Sequence, residues 1–235
     1  RCSTRPDALG KAILLALKNA GIHLVELGVQ SFSDHALAAS QRGYNGKQAL
    51  DGCQAVLKSG LRLGIQLLPG MPGVTPKIFI DDVQKAIALH PACLRFYPCL
   101  VPEGTILADW FASGKYKPWS MEETITTLAK ALTLAWNADI PVIRLSVAPE
   151  PAFDTSILAG PRHPALGALI QCEALLISTK NAIKKLGREP RRLELPFFCQ
   201  GFMFGEGGYM RTRWNELGLG QGRIAFYHGH TAQLF

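Results

Sequence analysis

The chain has 235 residues and a formal net charge of +7, with 48% hydrophobic and 18% charged residues. This composition and length allow a substantial core and exclude a disordered or fibrous chain. No apolar run approaches the roughly 20 residues of a membrane-spanning helix, so we expect no membrane partner. The first residues also lack the apolar segment of a secretory signal. Six cysteines without a C-x-x-C pair predict buried, reduced thiols and a cytoplasmic protein.

Strand and helix patterns alternate over the first 147 residues. The helices are indicated by apolar spacing of three and four residues, by N-terminal capping residues and by closing glycines. They are predicted over residues 6–20, 47–59, 75–88 and 120–137, the last opened by a capping box at Ser120 and Glu123. Strands are predicted over residues 2–4, 23–29, 61–68, 94–97 and 140–147. Such repeated units imply parallel strands joined by right-handed crossovers.

The pattern changes after residue 147. Prolines crowd the next stretch, among them Pro149, Pro151 and Pro164, as is typical of a linker. A long helix over residues 165–186 and strands over 192–197 and 224–227 are predicted beyond it. We therefore divide the chain into residues 1–147 and a C-terminal extension, residues 148–235. A basic cluster surrounds the end of the long helix and consists of Lys180, Lys184, Lys185, Arg188, Arg191 and Arg192.

The strands of the first part are polar on one face and apolar on the other. The polar positions are Glu26, Gly28 and Gln30, then Arg62, Gly64 and Gln66, then Arg95 and Tyr97, then Arg144 and Ser146. Parallel sheets are usually buried on both faces and apolar throughout. We therefore interpret the polar face as the lumen of a curved half-barrel; the alternative is an open sheet with a wet face. In barrels the chemistry lies at the carboxyl ends of the strands.

A series of short motifs follows this framework in order. It reads Ser3-Thr4-Arg5-Pro6-Asp7, Glu26-Leu27-Gly28-Val29-Gln30-Ser31-Phe32, Arg42-Gly43, Pro69-Gly70-Met71-Pro72-Gly73, Tyr97-Pro98 and Gly114-Lys115-Tyr116. The series resembles radical S-adenosylmethionine (radical SAM) enzymes, in the branch of the elongator catalytic subunit, with oxygen-independent coproporphyrinogen oxidase as a more distant relative. The resemblance implies an α/β fold: a partial (β/α) radical-SAM-type TIM barrel with a C-terminal α+β extension.

The resemblance also implies cofactors and partners. Enzymes of this kind hold a [4Fe-4S] cluster on a C-x3-C-x2-C-type motif, and the cluster reduces S-adenosylmethionine to give a 5′-deoxyadenosyl radical that abstracts hydrogen from a substrate. None of the six cysteines has this spacing, so we expect the cluster ligands upstream of this chain and no metal ligand within it. A reductant protein such as flavodoxin or ferredoxin is the expected electron donor. The substrate is expected to be tRNA-related or a small molecule.

Five residues carry over to the cofactor site by resemblance. Gln30 matches a residue that contacts the ribose, and Arg42 matches the arginine that grips the methionine carboxylate. Gln66 stands where relatives carry Asp or His near the ribose hydroxyls. Tyr97 and Leu100 begin and end a segment that is expected to lie against the adenine. No catalytic residue is assigned.

Two alternatives stay open from the residues themselves. One is an RNA-binding module without a cluster, using the basic surface at residues 180–192. The other is an ordinary TIM-barrel lyase that uses the polar lumen. The acidic pair Asp81 and Asp82 is expected in the first turn of its helix, where the positive end of the helix dipole stabilises carboxylates. We therefore assign this pair no catalytic role.

Overall fold

The computed structural model describes residues 1–147, 150, 153, 155–220 and 222–235. It divides the chain into two compact units, Arg1–Pro164 and Ala165–Phe235. The division follows Pro164, whereas the sequence places a domain boundary near residue 147; that domain assignment stays a prediction. The linker prolines Pro149 and Pro151 lie outside the described residues. Within the described ranges, no helix combines the length and apolarity needed to cross a membrane.

The first unit is built on a parallel sheet. The strands of this unit are β1 (Cys2–Thr4), β2 (Leu24–Gln30), β3 (Arg62–Leu67), β4 (Cys93–Phe96), β5 (Val101–Pro102), β6 (Val142–Arg144) and β7 (Ile157–Ala159). Five of them form the parallel sheet in the order β1–β2–β3–β4–β6, and every neighbouring pair is parallel, as predicted. A separate antiparallel pair joins β5 and β7.

Helices connect these strands. They are α1 (Lys11–Asn19), α2 (Asp34–Ala39), α3 (Gly46–Lys58), α4 (Pro76–Ile87), α5 (Ile106–Ala112) and α6 (Met121–Asn137). The predicted helix at residues 6–20 is wrong at its start, because Pro6 opens a separate 3-10 turn and extended Gly10 precedes α1. The predicted capping box of α6 is half formed: Ser120 accepts from the Glu123 N–H. The complete box belongs to α3, at Asn45 and Gln48.

The apolar face of the sheet forms the core of this unit. It consists of the fully buried side chains of Val25, Leu27, Val29, Leu63, Ile65, Leu67, Leu94 and Phe96. Phe79 of α4 meets Phe96 edge-on, with ring centroids 5.3 Å apart. The alternation fails at β6, where Ile143 is 45% exposed although the sequence pattern placed it on the packed face. The register there shifts between Leu94 and Arg95, at the edge of the sheet.

The second unit is an α+β arrangement of its own. It contains α7 (Leu166–Leu186), β8 (Leu193–Pro196), α8 (Arg211–Glu216), β9 (Ile224–Tyr227) and β10 (Gln233–Leu234), with 3-10 turns at Phe197–Gly201 and Glu206–Gly208. Its three-stranded sheet has the order β10–β8–β9. Trp214 is buried in its core, and its indole N–H donates to the Met203 carbonyl at 2.9 Å. The predicted long helix and both predicted strands are present.

Candidate cofactor site

The polar face of the sheet has a defined register in the first unit. One row of partners across the strands is Ser3, Glu26, Gly64 and Cys93, and the row toward the carboxyl ends is Gly28, Gln66 and Arg95. Side chains in such rows are direct neighbours. The predicted polar face therefore brings residues far apart in sequence into contact.

Glu26 organises this face. Its side chain is 2% exposed, and burying a carboxylate is costly unless partners compensate its charge. Gln66 Nε2 donates to Oε2 at 3.1 Å, and Arg95 Nη2 donates to Oε1 at 3.2 Å. Arg95 Nε lies 2.8 Å from Oε2, and Arg1 Nη1 lies 3.3 Å from Oε1. The Glu26 carboxylate thus holds the predicted site residue Gln66 next to the Arg95 guanidinium, and Arg1 contacts the same carboxylate.

Arg95 carries the connection on to Tyr97. Its Nη1 donates to the Tyr97 hydroxyl at 2.7 Å. That hydrogen bond raises the pKa of Arg95 against the opposing effect of burial, so the guanidinium stays charged. Glu26 and Arg95 are not among the five residues assigned to the site from sequence, although their charge on the polar face suits an anionic or zwitterionic ligand. Only the cross-strand register shows that they link Gln66 to Tyr97.

Gln30 closes the upper end of the same face. Its backbone is left-handed, with φ of 64°, and the strand register shifts between Gly28 and Gln30. A Cβ added at Gly28 would lie 2.8 Å from Gln30 Nε2, so the amide lies directly over the glycine. Because Gly28 pairs with Gln66 across the strands, the two predicted glutamines lie at one place on the sheet.

A buried carboxylate holds the turn after Gln30. The Ser31 hydroxyl donates to Asp82 Oδ2 at 2.5 Å, and the Phe32 N–H donates to Oδ1 at 2.8 Å. Ser31 and Asp82 are both buried, and burial raises the pKa of Asp82. Asp82 lies in the middle of α4, so its expected place in the first turn is wrong. Sequence reasoning missed this contact because 51 residues separate its partners.

Arg42 lies against the ring of Tyr44, whose hydroxyl contacts the end of β2. The Tyr44 hydroxyl lies 2.9 Å from the Gly28 carbonyl oxygen and 3.0 Å from that of Val29. The guanidinium carbon atoms of Arg42 and Arg5 lie 5.9 and 5.2 Å from the centroid of its ring. Among the described residues, Arg42 Nε is buried and has no hydrogen-bond partner. A buried donor without a partner is costly, so this nitrogen is suited to an anionic ligand.

Leu100 has different surroundings from the other predicted residues. Its Cδ2 atom would lie 3.0 Å from a Cβ built at Gly160, whose φ is 117°. Leu100 thus packs against the chain near β7. The structure joins Gln66 to Tyr97 and places Gln30 above Gly28, whereas no described contact joins Leu100 to them. The ligand contacts of all five residues remain predictions.

The residues present fit S-adenosylmethionine. Its carboxylate requires a cation with a free donor, which Arg42 has, and guanidinium pairs well with carboxylate. Its nucleoside requires donors and acceptors, which the amides of Gln30 and Gln66 and the phenol of Tyr97 supply. A [4Fe-4S] cluster is different: the described residues contain no group of three or more His, Cys, Asp or Glu side chains placed to hold a metal. All six cysteines are free thiols.

The basic cluster of the second unit is exposed. Its lysines and arginines all lie at the surface. Arg192 pairs with Glu194 at 2.9 Å. An exposed cluster of this kind is typical both of a solvated helix end and of a phosphate-binding surface, so RNA binding there stays a prediction.

Comparison with known families decides between the hypotheses. Residues 1–86 match the Radical SAM superfamily, and residues 91–176 match the Radical_SAM C-terminal domain. The chain belongs to the radical SAM superfamily. This radical SAM family uses S-adenosylmethionine and a [4Fe-4S] cluster. The resemblance stated from the motifs is thereby confirmed.

Similar proteins place the chain in the elongator branch. It is 32% identical over 173 residues to the tRNA uridine(34) acetyltransferase of Methanocaldococcus jannaschii, covering 71% of this chain and 31% of that protein. It is 29% identical over 134 residues to Elongator complex protein 3 of Homo sapiens, covering 56% of this chain and 24% of that protein. The structure of archaeal Methanocaldococcus infernus Elp3 with an N-terminal deletion aligns with a TM-score of 0.62 and 28% identity, covering 80% of this chain and 42% of that chain. The partial radical-SAM-type barrel is confirmed, and the chain spans about a third or less of the length of these curated relatives.

Proposed function

We propose that the polar face of the first unit binds S-adenosylmethionine for a radical reaction on a tRNA-related substrate. The observation that carries the proposal is the joint arrangement of Gln30 over Gly28, Gln66 and Tyr97 linked through Glu26 and Arg95, and the unpaired nitrogen of Arg42. When bound at a reduced cluster, the cofactor supplies the hydrogen-abstracting chemistry of the family. The residues of this chain bind and orient it.

The charges on this face support a zwitterionic ligand. Among the described residues, Arg42 Nε and Arg95 Nε are both buried without a hydrogen-bond partner. Arg95 Nε lies 2.8 Å from Glu26 Oε2, which supplies its counter-charge, so Arg42 Nε is the one of the two that is suited to a ligand carboxylate. Arg42 also lies against the Tyr44 ring, whose hydroxyl contacts the end of β2. An amino-acid carboxylate at Arg42 would therefore hold one end of the ligand while the amides hold the nucleoside.

The tRNA-related substrate rests on the named relatives, one of which is a tRNA uridine(34) acetyltransferase. A reductant protein such as flavodoxin or ferredoxin is proposed as electron donor. The cluster is proposed on ligands outside this chain. The two alternatives, an RNA-binding module without a cluster and an ordinary TIM-barrel lyase, are not favoured by the family match.

Calorimetry tests the cofactor site in the anaerobically reconstituted full-length protein. Arg42→Ala removes a charge-assisted hydrogen bond of about 1.5–3 kcal/mol, so the dissociation constant for S-adenosylmethionine is expected to rise about 10- to 150-fold. Arg188→Ala, which removes an exposed arginine of the second unit, is the matched control and should leave binding unchanged. Equal affinities for Arg42→Ala and the wild type would remove Arg42 from the site.

A further inference from the structure

A second concavity lies in the first unit, beside the loop after β3. It has a volume of about 450 Å³, which is within the range of small-ligand sites. One wall is the segment 70–74, and the others come from α2 and from residues 110–119. The side chains that matter for its chemistry are His35, Trp110, Lys115, Lys117 and Trp119.

The wall of this cavity is built into the fold. The buried Tyr116 hydroxyl donates to the Gly70 carbonyl at 2.7 Å, and the Trp119 indole N–H donates to the Val74 carbonyl at 3.2 Å. Gly70 has a φ of 78°, and a Cβ there would lie 3.2 Å from Trp119 Cγ. The Trp119 ring also meets Phe79 edge-on at 6.2 Å. The concavity is therefore formed before any ligand binds.

Its charge is positive and uncompensated. Lys115, Lys117 and His35 are exposed and line the cavity, and none of its described lining residues is acidic. Neither lysine makes a salt bridge within the part of the chain that the structure describes. Lysines without counter-charges around a concavity attract phosphate groups. Trp110 is half-buried and adds an aromatic ring, on which a base can stack.

The cavity belongs to the same edge of the sheet as the cofactor site. The segment 70–74 follows the end of β3, which carries Gln66, and His35 lies just after the end of β2, which carries Gln30. The Cys99 N–H donates to the Pro69 carbonyl at 2.9 Å, which ties the segment after β4 to this loop. In barrel folds the loops at the carboxyl edge bind the substrate.

We propose that this cavity is a subsite for one nucleotide of an RNA substrate. Lys115 and Lys117 hold its phosphate, and Trp110 stacks on its base. The inference rests on the proposed function for its substrate class, and it names a site for that substrate separate from the residues assigned to the cofactor. A free nucleotide offers the same phosphate and base as a nucleotide within RNA, so the experiment distinguishes binding of RNA from binding of a free nucleotide.

The test measures binding of a fluorescein-labelled single-stranded ten-nucleotide oligouridine to the full-length protein by anisotropy at several salt concentrations. The double variant Lys115→Ala/Lys117→Ala is expected to weaken binding at least tenfold and to reduce the slope of log affinity against log salt by about 0.7, since the two lysines hold one phosphate and each single-strand phosphate contact contributes about 0.7. Lys115→Arg/Lys117→Arg keeps both charges and should retain most of the affinity. The control Lys11→Ala/Lys58→Ala removes two exposed lysines from α1 and α3 and should change little.

Three further readouts decide the proposal. If the Lys115→Ala/Lys117→Ala protein binds both the oligouridine and uridine monophosphate as tightly as the control variant does, the subsite is refuted. If this variant binds the oligouridine as tightly as the control but binds uridine monophosphate more weakly, measured directly by calorimetry, the occupant is a free nucleotide and the RNA assignment is wrong. S-adenosylmethionine binding by calorimetry should be unchanged in this variant. If the wild-type protein does not bind S-adenosylmethionine, but the Lys115→Ala/Lys117→Ala substitutions still weaken oligouridine binding, the proposed function is refuted and the RNA subsite is supported.

Discussion

Asp82 provides the sharpest test of how the site is held. Asp82→Ala removes the acceptor of the Ser31 hydroxyl and of the Phe32 N–H, and Ser31 is fully buried. Each buried donor left without a partner costs about 1–3 kcal/mol. Relief of the buried carboxylate offsets part of this cost, so we expect a loss of about 2–4 kcal/mol. That is a large share of the 5–15 kcal/mol of a typical domain.

Equilibrium urea unfolding of the full-length protein, followed by tryptophan fluorescence, measures this loss. Asp81→Ala is the matched control, because Asp81 is the exposed neighbour on the same helix. The control should stay within about 0.5 kcal/mol of the wild type, as exposed substitutions usually do. A similar free energy of unfolding for Asp82→Ala and Asp81→Ala would refute the role of this hydrogen-bond pair.

The pH dependence has a defined sign. Burial raises the pKa of Asp82 above its ordinary value of 3.8, so the folded state holds the proton more tightly than the unfolded state does. Protonation of Asp82 therefore stabilises the folded state. This contribution is fully present at a pH below the ordinary pKa of Asp, and it is lost as the pH rises through the raised pKa of Asp82 in the folded protein. We therefore expect the wild type to lose stability relative to Asp82→Asn as the pH rises above about 4. A wild type that gains stability relative to Asp82→Asn over this range would contradict the reasoning.

Two further substitutions test the polar face. Glu26→Gln leaves Arg95 without its buried counter-charge and should lower the free energy of unfolding by about 3 kcal/mol, measured by urea unfolding; a change under about 0.5 kcal/mol would contradict the pairing. Gly28→Ala places a methyl group 2.8 Å from the position of Gln30 Nε2, so it should displace that amide and weaken S-adenosylmethionine binding in calorimetry. Gly10→Ala, where a Cβ meets nothing within 4 Å, is the control; equal affinities for both variants would remove Gln30 from the site.

The sequence predicted those features that follow from the alternation of polar and apolar residues along the strands. Alternating polar residues predicted the parallel strands and put Glu26, Gln66 and Arg95 on one face, because side-chain direction in a strand follows from position alone. The motifs predicted the family. The pairing of these residues was not predictable, since it depends on the register of strands joined by long crossovers.

Other features depend on packing that no local pattern encodes. Asp82 reaches Ser31 across 51 residues of sequence, and its position on α4 gave no sign of that partner. The first helix was misread because Pro6 opens a 3-10 turn as readily as an α-helix, and the conformation of Gly10 decides between them. Ile143 fits the strand alternation but lies on an edge strand with shifted register.

The most direct measurement is a crystal structure of the full-length, anaerobically reconstituted protein with S-adenosylmethionine bound. We expect the ligand carboxylate within about 3 Å of the Arg42 guanidinium, and the nucleoside over Gly28, in contact with Gln30, Gln66 and Tyr97. A ligand bound elsewhere, with those side chains in the arrangement described above and free of it, would contradict the claim that this face of the sheet is the cofactor site.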